Sequence, residues 1–387
     1  MTSTSAKAPR QRALTRLRAE GVRAPAIDRL LAENRIPLVE GPACTFLFRG
    51  EADDVAVEHA ITGLAAPLPL KRLRRSDLWF ATIELPAGSR VEYRLLVRRG
   101  DNVESILDPL NPETVTGPAS EMSVLRAQGY ETPWWALPNP SAVPGELTEF
   151  HFRSRALRRE AYLTLYAPAR MRREDRLPLL VVHDGGDFIN HAAFGTVLDN
   201  LMDARLMADT MVAFTHPGDR LREYGDSAAH SRFLTAELIP QLEERLPLRR
   251  DPAGRVLAGA SFGGIAALSA AVHAPGFYGG LMLQSASFLY TVVGREHAGG
   301  PVFDPVVRFV NAIRGEPQAV VEQIFLSYGA FEPSAQRSLA MVDVLRRMAD
   351  QVRVVESLDG HTWTGWRDRL LDALSWLFPG EQRFLYP

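Results

Sequence analysis

The sequence predicts an α/β protein in which helices cover both faces of a mostly parallel sheet, preceded by a small β-sandwich domain. From about residue 146, short continuous apolar runs alternate with helical segments, which is typical of parallel strands buried on both faces. Between about residues 38 and 126, short runs with strand character are separated by turn residues, which favours a small sandwich.

The composition changes along the chain divide it into four predicted parts. Residues 1–37 are a polar tail and a helical segment, and residues 38–126 are the sandwich. Residues 127–145 form a linker rich in Pro and Trp, where Pro restricts the backbone to extended conformations. Residues 146–387 are the predicted α/β domain.

The elements of the α/β domain follow from its apolar runs. Two hairpin-like strands come first, Leu147–Phe152 and Ala161–Tyr166. The buried strands predicted after them are Leu177–His183, Thr210–Thr215, Arg255–Ala260, Gly280–Gln284, Gln323–Tyr328 and Val352–Leu358. Helices are predicted at Phe194–Met207, Ser231–Arg245, Gly263–His273, Ser338–Ala349 and Trp366–Phe378. Strands and helices in this order predict a parallel sheet.

Charge and apolar patterning exclude several classes of protein. A formal net charge of −2 gives no reason to expect nucleic acid or an anionic membrane as partner. No apolar run reaches the roughly 18 residues of a membrane helix, and none follows the basic N-terminal residues as in a secretory signal. We therefore expect a cytoplasmic protein. The lone cysteine, Cys44, lies in the strand-like run Cys44–Phe48 and is expected to be a buried structural thiol.

One five-residue motif points to nucleophilic catalysis. Gly259-Ala260-Ser261-Phe262-Gly263 fits G-x-S-x-G, directly after a predicted strand and directly before a helix rich in small residues. A nucleophile elbow requires that strand–turn–helix context, and the helix N-terminus then offers free N–H groups to developing negative charge. The motif therefore predicts an α/β-hydrolase with Ser261 as its nucleophile.

A serine hydroxyl needs a base, and in this fold the chain order is Ser, acid, His. His361 follows the last predicted strand and is the predicted base. The acid is expected after the preceding strand, where Glu332 stands; Asp304 and Asp359 are the alternatives.

The second oxyanion donor is expected in the loop after an early strand, His183-Asp184-Gly185-Gly186-Asp187-Phe188. The N–H of Gly186 or Asp187, together with that of Phe262, would hold the oxyanion. Reading His183, Asp184 and Asp187 as metal ligands is the weaker alternative, because no second ligand cluster at metal spacing accompanies them. The predicted chemistry needs no cofactor.

Four stretches resemble the enterochelin (ferric enterobactin) esterase family within the esterase D-like α/β-hydrolases. They are Leu177–Gly185, the elbow with Gly264, Arg220-Leu221-Arg222-Glu223-Tyr224, and Asp359-Gly360-His361-Thr362-Trp363-Thr364-Gly365-Trp366-Arg367. The sequence departs from the family in having His183 before Asp-Gly and Asp359 where the family has a second Gly. The 38–126 segment, which ends in Asp-Pro-Leu-Asn-Pro, is similar to the Ig-like (E-set) domain of these esterases.

The resemblance implies hydrolysis of an ester, which in the type members belongs to a catecholate siderophore trilactone. It implies Ser261 as nucleophile and His361 as base, with Arg220 or Arg222 near a negatively charged substrate; Arg beside Glu223 is equally expected in a surface ion pair. Trp363 is expected to stack on an aromatic acyl group. Related proteins act on sugar esters and simple acyl esters or transfer acyl groups, and fold analogy does not choose among them.

Three functions are compatible with these motifs. The first is an esterase that acts on a small-molecule ester through an acyl-enzyme. The second is an acyltransferase with the same residues, in which another alcohol or an amine replaces water. The third is an inactive hydrolase-fold binding protein, against which the intact Ser, His and acid argue.

Overall fold

The computed structural model describes residues 12–169, 171, 176–292 and 300–380, and the predicted polar tail at residues 1 to about 10 lies outside them. The chain divides into two compact units. The first contains Met1–Glu131 together with Leu358–Gly360, and the second contains Thr132–Ser357 and His361–Pro387. The second unit therefore begins within the segment predicted as a linker.

From residue 12 onward, the first unit contains two antiparallel sheets and two helices. The helices are α1 (Ala13–Glu20) and α2 (Ala24–Glu33). The strands are β1 (Leu38–Glu40), β2 (Ala43–Arg49), β3 (Asp54–His59), β4 (Leu68–Pro69), β5 (Lys71–Arg72), β6 (Leu78–Glu84), β7 (Arg90–Arg99), β8 (Asn102–Ile106), β9 (Thr114–Thr116) and β10 (Glu121–Arg126). One sheet has the order β1-β2-β6-β5 and the other β4-β3-β7-β10-β9, with β8 also paired to β7.

Alternation of side chains along β2 explains how the first unit is assembled. Phe46 points to one face and contacts Tyr93 of β7 edge-on, with ring centroids 4.8 Å apart, so the two sheets pack on each other. Leu47 points to the opposite face, where it joins Leu14 and Ile27 of the two helices in a buried cluster. Because both faces of β2 are covered, Phe46, Leu47 and Phe48 form an uninterrupted apolar run.

The lone cysteine lies on the same strand. Cys44 is fully buried, and burial raises the pKa of its thiol to about 11. A thiol of that pKa is almost entirely protonated at neutral pH and is a poor nucleophile. Cys44 is therefore a structural residue, as the sequence predicts.

The second unit contains one eight-stranded sheet with the order β11-β12-β14-β13-β15-β16-β17-β18. Its strands are β11 (Glu146–Ser154), β12 (Arg159–Ala167), β13 (Leu179–Val182), β14 (Met211–His216), β15 (Arg255–Ala260), β16 (Gly280–Gln284), β17 (Val321–Gly329) and β18 (Ala349–Ser357). The pairs β11–β12 and β12–β14 are antiparallel, and the remaining pairs are parallel.

Helices cover both faces of this sheet. They are α3 (Gly185–His191), α4 (Phe194–Asp203), α5 (Arg220–Tyr224), α6 (Ala228–Arg232), α7 (Ile239–Arg245), α8 (Phe262–His273), α9 (Asp304–Gly315), α10 (Ala335–Leu345), α11 (Trp363–Asp368) and α12 (Leu370–Leu377). Along β13, Leu179 and Val181 belong to the core on one face, while Leu180 and Val182 belong to the core on the other. Burial on both faces explains the continuous apolar runs, and the predicted fold class is confirmed.

Two predicted helices are divided. The helix predicted over 231–245 consists of α6, a π-helical turn at Phe233–Leu238, and α7. Pro240 lies in the first turn of α7, and because proline has no N–H it cannot continue a regular helix from the preceding residues. The helix predicted over 366–378 begins earlier and is divided into α11 and α12.

The Pro- and Trp-rich stretch is held against the second unit from Thr132 onward. Trp134–Ala136 forms a 3-10 turn. The Asn200 side chain on α4 donates hydrogen bonds to the backbone carbonyls of Trp135 and Leu137, both at 2.9 Å. Buried carbonyls need such partners, so this part of the chain is anchored. Within the described residues, no helix is long and apolar enough to cross a membrane.

A buried ion pair in the first unit joins β7 to the three-residue segment Leu358–Gly360. Arg90 Nη1 lies 2.8 Å from Glu92 Oε1 and 3.4 Å from Asp359 Oδ2, and the Arg90 N–H donates to the Leu358 carbonyl at 3.0 Å. The Arg90 and Asp359 side chains are 4% and 6% exposed. Removal of Arg90 takes the positive partner away from two carboxylates, one of which is buried.

We therefore expect Arg90→Leu to lower the unfolding free energy of the first unit by about 3–5 kcal/mol. The matched control is Arg98→Leu on the same strand, whose side chain is exposed and whose loss should cost less than about 0.5 kcal/mol. Urea unfolding midpoints measure both. Equal shifts of the urea midpoint in the two variants would show that the buried ion pair contributes no more to stability than an exposed arginine does.

Candidate active site

Ser261 lies in a sharp turn between β15 and α8. Its backbone has φ +54° and ψ −117°, a conformation that non-glycine residues rarely adopt. The strand and helix pack so closely that a Cβ at Gly259 would overlap the backbone carbonyl group of Gly263. Close packing of β15 against α8 therefore maintains the strained backbone conformation of Ser261. Ser261 is partly exposed at the carboxyl edge of the sheet.

His361 and Glu332 meet at the same edge of the sheet. Glu332 follows β17, is fully buried, and its Oε2 lies 2.7 Å from His361 Nδ1. Its other oxygen accepts a hydrogen bond from the Gly329 N–H at 3.1 Å. Because a carboxylate only accepts hydrogen bonds, Nδ1 of His361 carries the proton, and Nε2 is left as a proton acceptor.

The other two acid candidates lie elsewhere. Asp304 is the first residue of α9, and Asp359 is ion-paired with Arg90 in the first unit. Of the three carboxylates considered from the sequence, the one hydrogen-bonded to His361 is Glu332.

The Ser261 hydroxyl has a neighbour that the sequence motifs did not indicate. Ser261 Oγ lies 3.1 Å from Ser287 Oγ, and no hydrogen bond joins Ser261 to His361 among the described residues. Catalytic hydrogen bonds are often long or unformed without substrate. Ser287 follows β16 at the carboxyl edge, which is the positional signal that indicated Glu332 and that would also have identified Ser287.

The segment expected to be an oxyanion loop is the start of a helix. Asp184 has φ +56°, and α3 begins directly after it at Gly185. The Asp187 N–H already donates to the Asp184 carbonyl at 3.1 Å. Gly186 and Phe262 occupy the first turns of α3 and α8, where N–H groups have no partner within the helix. The geometry thus favours Gly186 over Asp187 as the second donor.

The predicted substrate-binding arginines differ in their surroundings. Arg220 Nε and Nη2 donate to the two carboxylate oxygens of Asp184 at 2.8 and 2.7 Å, and its guanidinium lies 5.8 Å from the Phe262 ring centroid. Arg222 is exposed. Glu223 itself pairs with Arg159, at 2.7 Å from both Nε and Nη2, so the ion pair expected for an Arg beside Glu223 is, for Arg220, the one with Asp184.

Trp363 belongs to an aromatic cluster beside His361. Its ring contacts Phe188 and Trp366 edge-on, with centroids 5.0 and 4.7 Å apart, and it is partly buried. The Trp366 ring in turn contacts the His361 ring edge-on at 5.0 Å. These contacts restrict the orientation of the imidazole from its aromatic side.

His183 does not line the site. It is fully buried, its Nδ1 lies 2.8 Å from the Ala258 carbonyl oxygen, and its Nε2 lies 2.9 Å from His230 Nε2. A carbonyl only accepts, so His183 Nδ1 carries a proton and its Nε2 accepts from His230. Burial lowers the pKa of both histidines, which favours the neutral form of each ring. In the described part of the chain, no group of three or more His, Cys, Asp or Glu side chains is arranged to hold a metal ion.

We expect Gly259→Ala to abolish folding or activity, because the added methyl group meets backbone atoms that cannot move without displacing α8. The matched control is Gly195→Ala on α4, where a Cβ meets nothing within 4 Å. Alanine in a helix is more favourable than glycine by up to about 1 kcal/mol, so the control should fold normally. Soluble yield and thermal unfolding by circular dichroism measure the difference; a well-folded, active Gly259→Ala protein would contradict it.

The buried histidine pair predicts a dependence of stability on pH. Burial lowers the pKa of His183 and of His230 below the ordinary histidine value. As the pH falls below about 6.5, the unfolded chain therefore binds protons that the folded chain does not, and stability decreases by up to about 1.4 kcal/mol per pH unit for each histidine.

The test compares urea midpoints at pH 7.5 and 5.5 for the wild type and for the double variant His183→Leu/His230→Leu. The decrease in stability at the lower pH should be smaller in the double variant. His151→Leu on β11, whose ring stacks on Tyr162, is the control and should keep the wild-type slope. An unchanged slope in the double variant would refute the role of the pair.

The chain matches a family model and several known proteins. The family model described as Putative esterase matches residues 154–377. The chain is 27% identical over 286 residues to an iron(III) enterobactin esterase of Dickeya dadantii, covering 72% of this chain and 66% of that protein. It is 25% identical over 334 residues to an iron(III) enterobactin esterase of Escherichia coli O6:H1, covering 80% of this chain and 81% of that protein.

A solved structure agrees with this assignment at the level of the fold. The enterobactin esterase of Shigella flexneri, crystallised in the presence of enterobactin, superposes with a TM-score of 0.70 at 22% identity, over 87% of this chain and 92% of that one. The α/β-hydrolase fold and the resemblance found in the sequence are therefore confirmed. The chain belongs to the Esterase family, with iron(III) enterobactin esterases among its relatives, and is a carboxylic ester hydrolase.

Proposed function

We propose that this chain hydrolyses a siderophore ester through an acyl-enzyme formed on Ser261, with His361 as general base and Glu332 as the orienting acid. The observation that carries the proposal is the 2.7 Å hydrogen bond between Glu332 and His361 Nδ1. It fixes the tautomer in which Nε2 accepts a proton, at the same edge of the sheet as the strained turn that presents Ser261.

Acylation begins with attack of Ser261 Oγ on the ester carbonyl carbon. A bond forms between these two atoms as the serine proton passes to His361 Nε2, and buried Glu332 stabilises the imidazolium. The negative charge that develops on the carbonyl oxygen is held by the N–H groups of Phe262 and Gly186 and by the positive end of α8. The intermediate then releases the alcohol, which takes its proton from His361.

Deacylation repeats these steps with water as the nucleophile. His361 Nε2 takes a proton from water as its oxygen attacks the acyl carbon, and then returns a proton to Ser261 Oγ as the acyl bond breaks. The same residues serve an acyltransferase if another alcohol or an amine takes the place of water, so product analysis with candidate acceptors distinguishes the two. The cytoplasmic location expected from the sequence stays a prediction.

The substrate class that we propose is an iron-loaded catecholate trilactone. Two relatives are named iron(III) enterobactin esterases, and a structural neighbour was crystallised with enterobactin. Trp363 offers a partly exposed aromatic surface for a catechol ring. Arg220 is partly exposed but is already paired with Asp184, so exposed Arg222 has more of its charge available for an anionic substrate.

Activity-based labelling with a fluorophosphonate tests the mechanism, and hydrolysis of p-nitrophenyl esters and catecholate trilactones accompanies it. Ser261→Ala should not label, and His361→Ala should lose at least about 1,000-fold in labelling rate. Glu332→Gln should lose about 1,000- to 10,000-fold in kcat, because the orienting carboxylate is removed without a change of shape.

Asp304→Asn is the matched control and should label and hydrolyse at the wild-type rate. A folded wild type that does not label favours the inactive binding protein over the esterase. Equal labelling of Ser261→Ala and the wild type would assign the nucleophile to another residue, and equal losses in Glu332→Gln and Asp304→Asn would remove the acid assignment.

A further inference from the structure

The bridging segment, Gln284–Ser287, leaves the carboxyl end of β16 and forms three hydrogen bonds to Ser261. The Ser261 N–H donates to the Gln284 carbonyl at 2.9 Å, and the Ser287 N–H donates to the Ser261 carbonyl at 3.0 Å. The two hydroxyl oxygens, Ser287 Oγ and Ser261 Oγ, are 3.1 Å apart. Backbone and side chain of this segment therefore both contact the proposed nucleophile.

The same segment also holds the aromatic support of His361. The indole Nε1–H of Trp366 donates to Ser285 Oγ at 2.9 Å, and the Gln284 side chain donates to the Trp366 carbonyl at 2.9 Å. Trp366 contacts the His361 ring edge-on. Gln284 and Ser287 thus contact Ser261, while Gln284 and Ser285 contact Trp366, the aromatic neighbour of His361.

The backbone of the bridging segment is strained where it makes these contacts. Ser285 has φ +45°, and its N–H donates to the Ser327 carbonyl at 2.7 Å. A non-glycine residue in this region persists only where its surroundings fix it, and such residues concentrate at functional sites. Gln284 and Ser285 are fully buried, whereas Ser287 is partly exposed beside Ser261.

The direction of the hydrogen bond between the two serine hydroxyls follows from the chemistry. If Ser261 donated to Ser287, its proton would point away from His361, and the base would have nothing to accept. If Ser287 donates to Ser261 Oγ, the Ser261 proton is free to point to His361 Nε2, where the base accepts it.

We propose that Ser287 is a positioning residue that donates a hydrogen bond to Ser261 Oγ, which holds the nucleophile and directs its proton to His361. The inference rests on the proposed function and adds to it a hydroxyl outside the Ser, His and acid set. It predicts a defect in nucleophilic attack with little change in substrate binding.

Ser287→Ala should lower the fluorophosphonate labelling rate and kcat roughly threefold to tenfold, the effect expected for one neutral hydrogen bond, with KM nearly unchanged. Labelling is the sharper measurement because it reports attack by Ser261 without deacylation. Ser287→Thr keeps a hydroxyl and should restore the wild-type rate. Ser287→Cys keeps the size of the side chain but is a weak donor, and should be as slow as the alanine variant.

Ser269→Ala is the matched control. Ser269 lies on α8, the helix that follows the elbow, but its hydroxyl donates to Asp226 at 2.7 Å, so this variant should label at the wild-type rate. If Ser287→Ala does not fold, as judged by circular dichroism, the labelling rates of Ser287→Thr and Ser287→Cys are compared instead.

The outcomes separate this inference from the proposed function. An unlabelled wild type overturns the nucleophile assignment and this inference with it. A labelled wild type with equally fast Ser287→Ala and Ser287→Cys variants overturns the role of Ser287 alone. Equal slowing in the Thr, Ala and Cys variants shows that packing, rather than the hydroxyl, matters, and also overturns it. Slow Ala or Cys variants with a wild-type Thr variant support it.

Discussion

The close approach of β15 to α8 constrains the rest of the site. At Gly259 the strand backbone lies against the helix backbone at Gly263, so no side chain fits between them, and the turn that joins the two elements must be sharp. Ser261 occupies that turn. The ends of β16, β17 and β18 then lead to the bridging segment, Glu332 and His361, because the carboxyl ends of parallel strands meet at one edge. Side chains from four separate chain segments converge on a position that backbone packing has already fixed.

The site is assembled from hydrogen bonds with defined directions. Glu332 is buried and accepts from both a backbone N–H and the imidazole, which leaves one proton acceptor on His361. A carbonyl acceptor has the same effect on His183 and His230 in the core. The Ala258 carbonyl accepts from His183 Nδ1, so His183 Nε2 accepts from His230 Nε2. The charge of Asp184 is balanced by Arg220 next to the start of α8. The hydrogen bond between Glu332 and His361 is formed in the absence of substrate, so the proposed base is already oriented.

The sequence predicted the sheet and the main catalytic candidates because both depend on local patterns. β15 and β16 begin and end at the predicted residues, since burial on both faces produces uninterrupted apolar runs. Strand order within the chain then indicated Glu332. The pairings Asp184–Arg220 and His183–His230 join residues 36 and 47 positions apart, and no local pattern encodes such contacts. The π-helical turn before Pro240 was missed because a helical apolar period continues through it.

Cys44 in the first compact unit and Ser261, the proposed nucleophile in the second, differ in accessibility. Cys44 is the one cysteine of the chain and is fully buried in the first unit, while Ser261 is partly exposed in the second. A thiol-specific reagent is therefore expected to modify the protein only when the first unit opens, whereas labelling of Ser261, the proposed nucleophile, would require the second unit to be intact. Each unit thus has its own built-in chemical reporter of unfolding, and the two reporters respond in opposite directions.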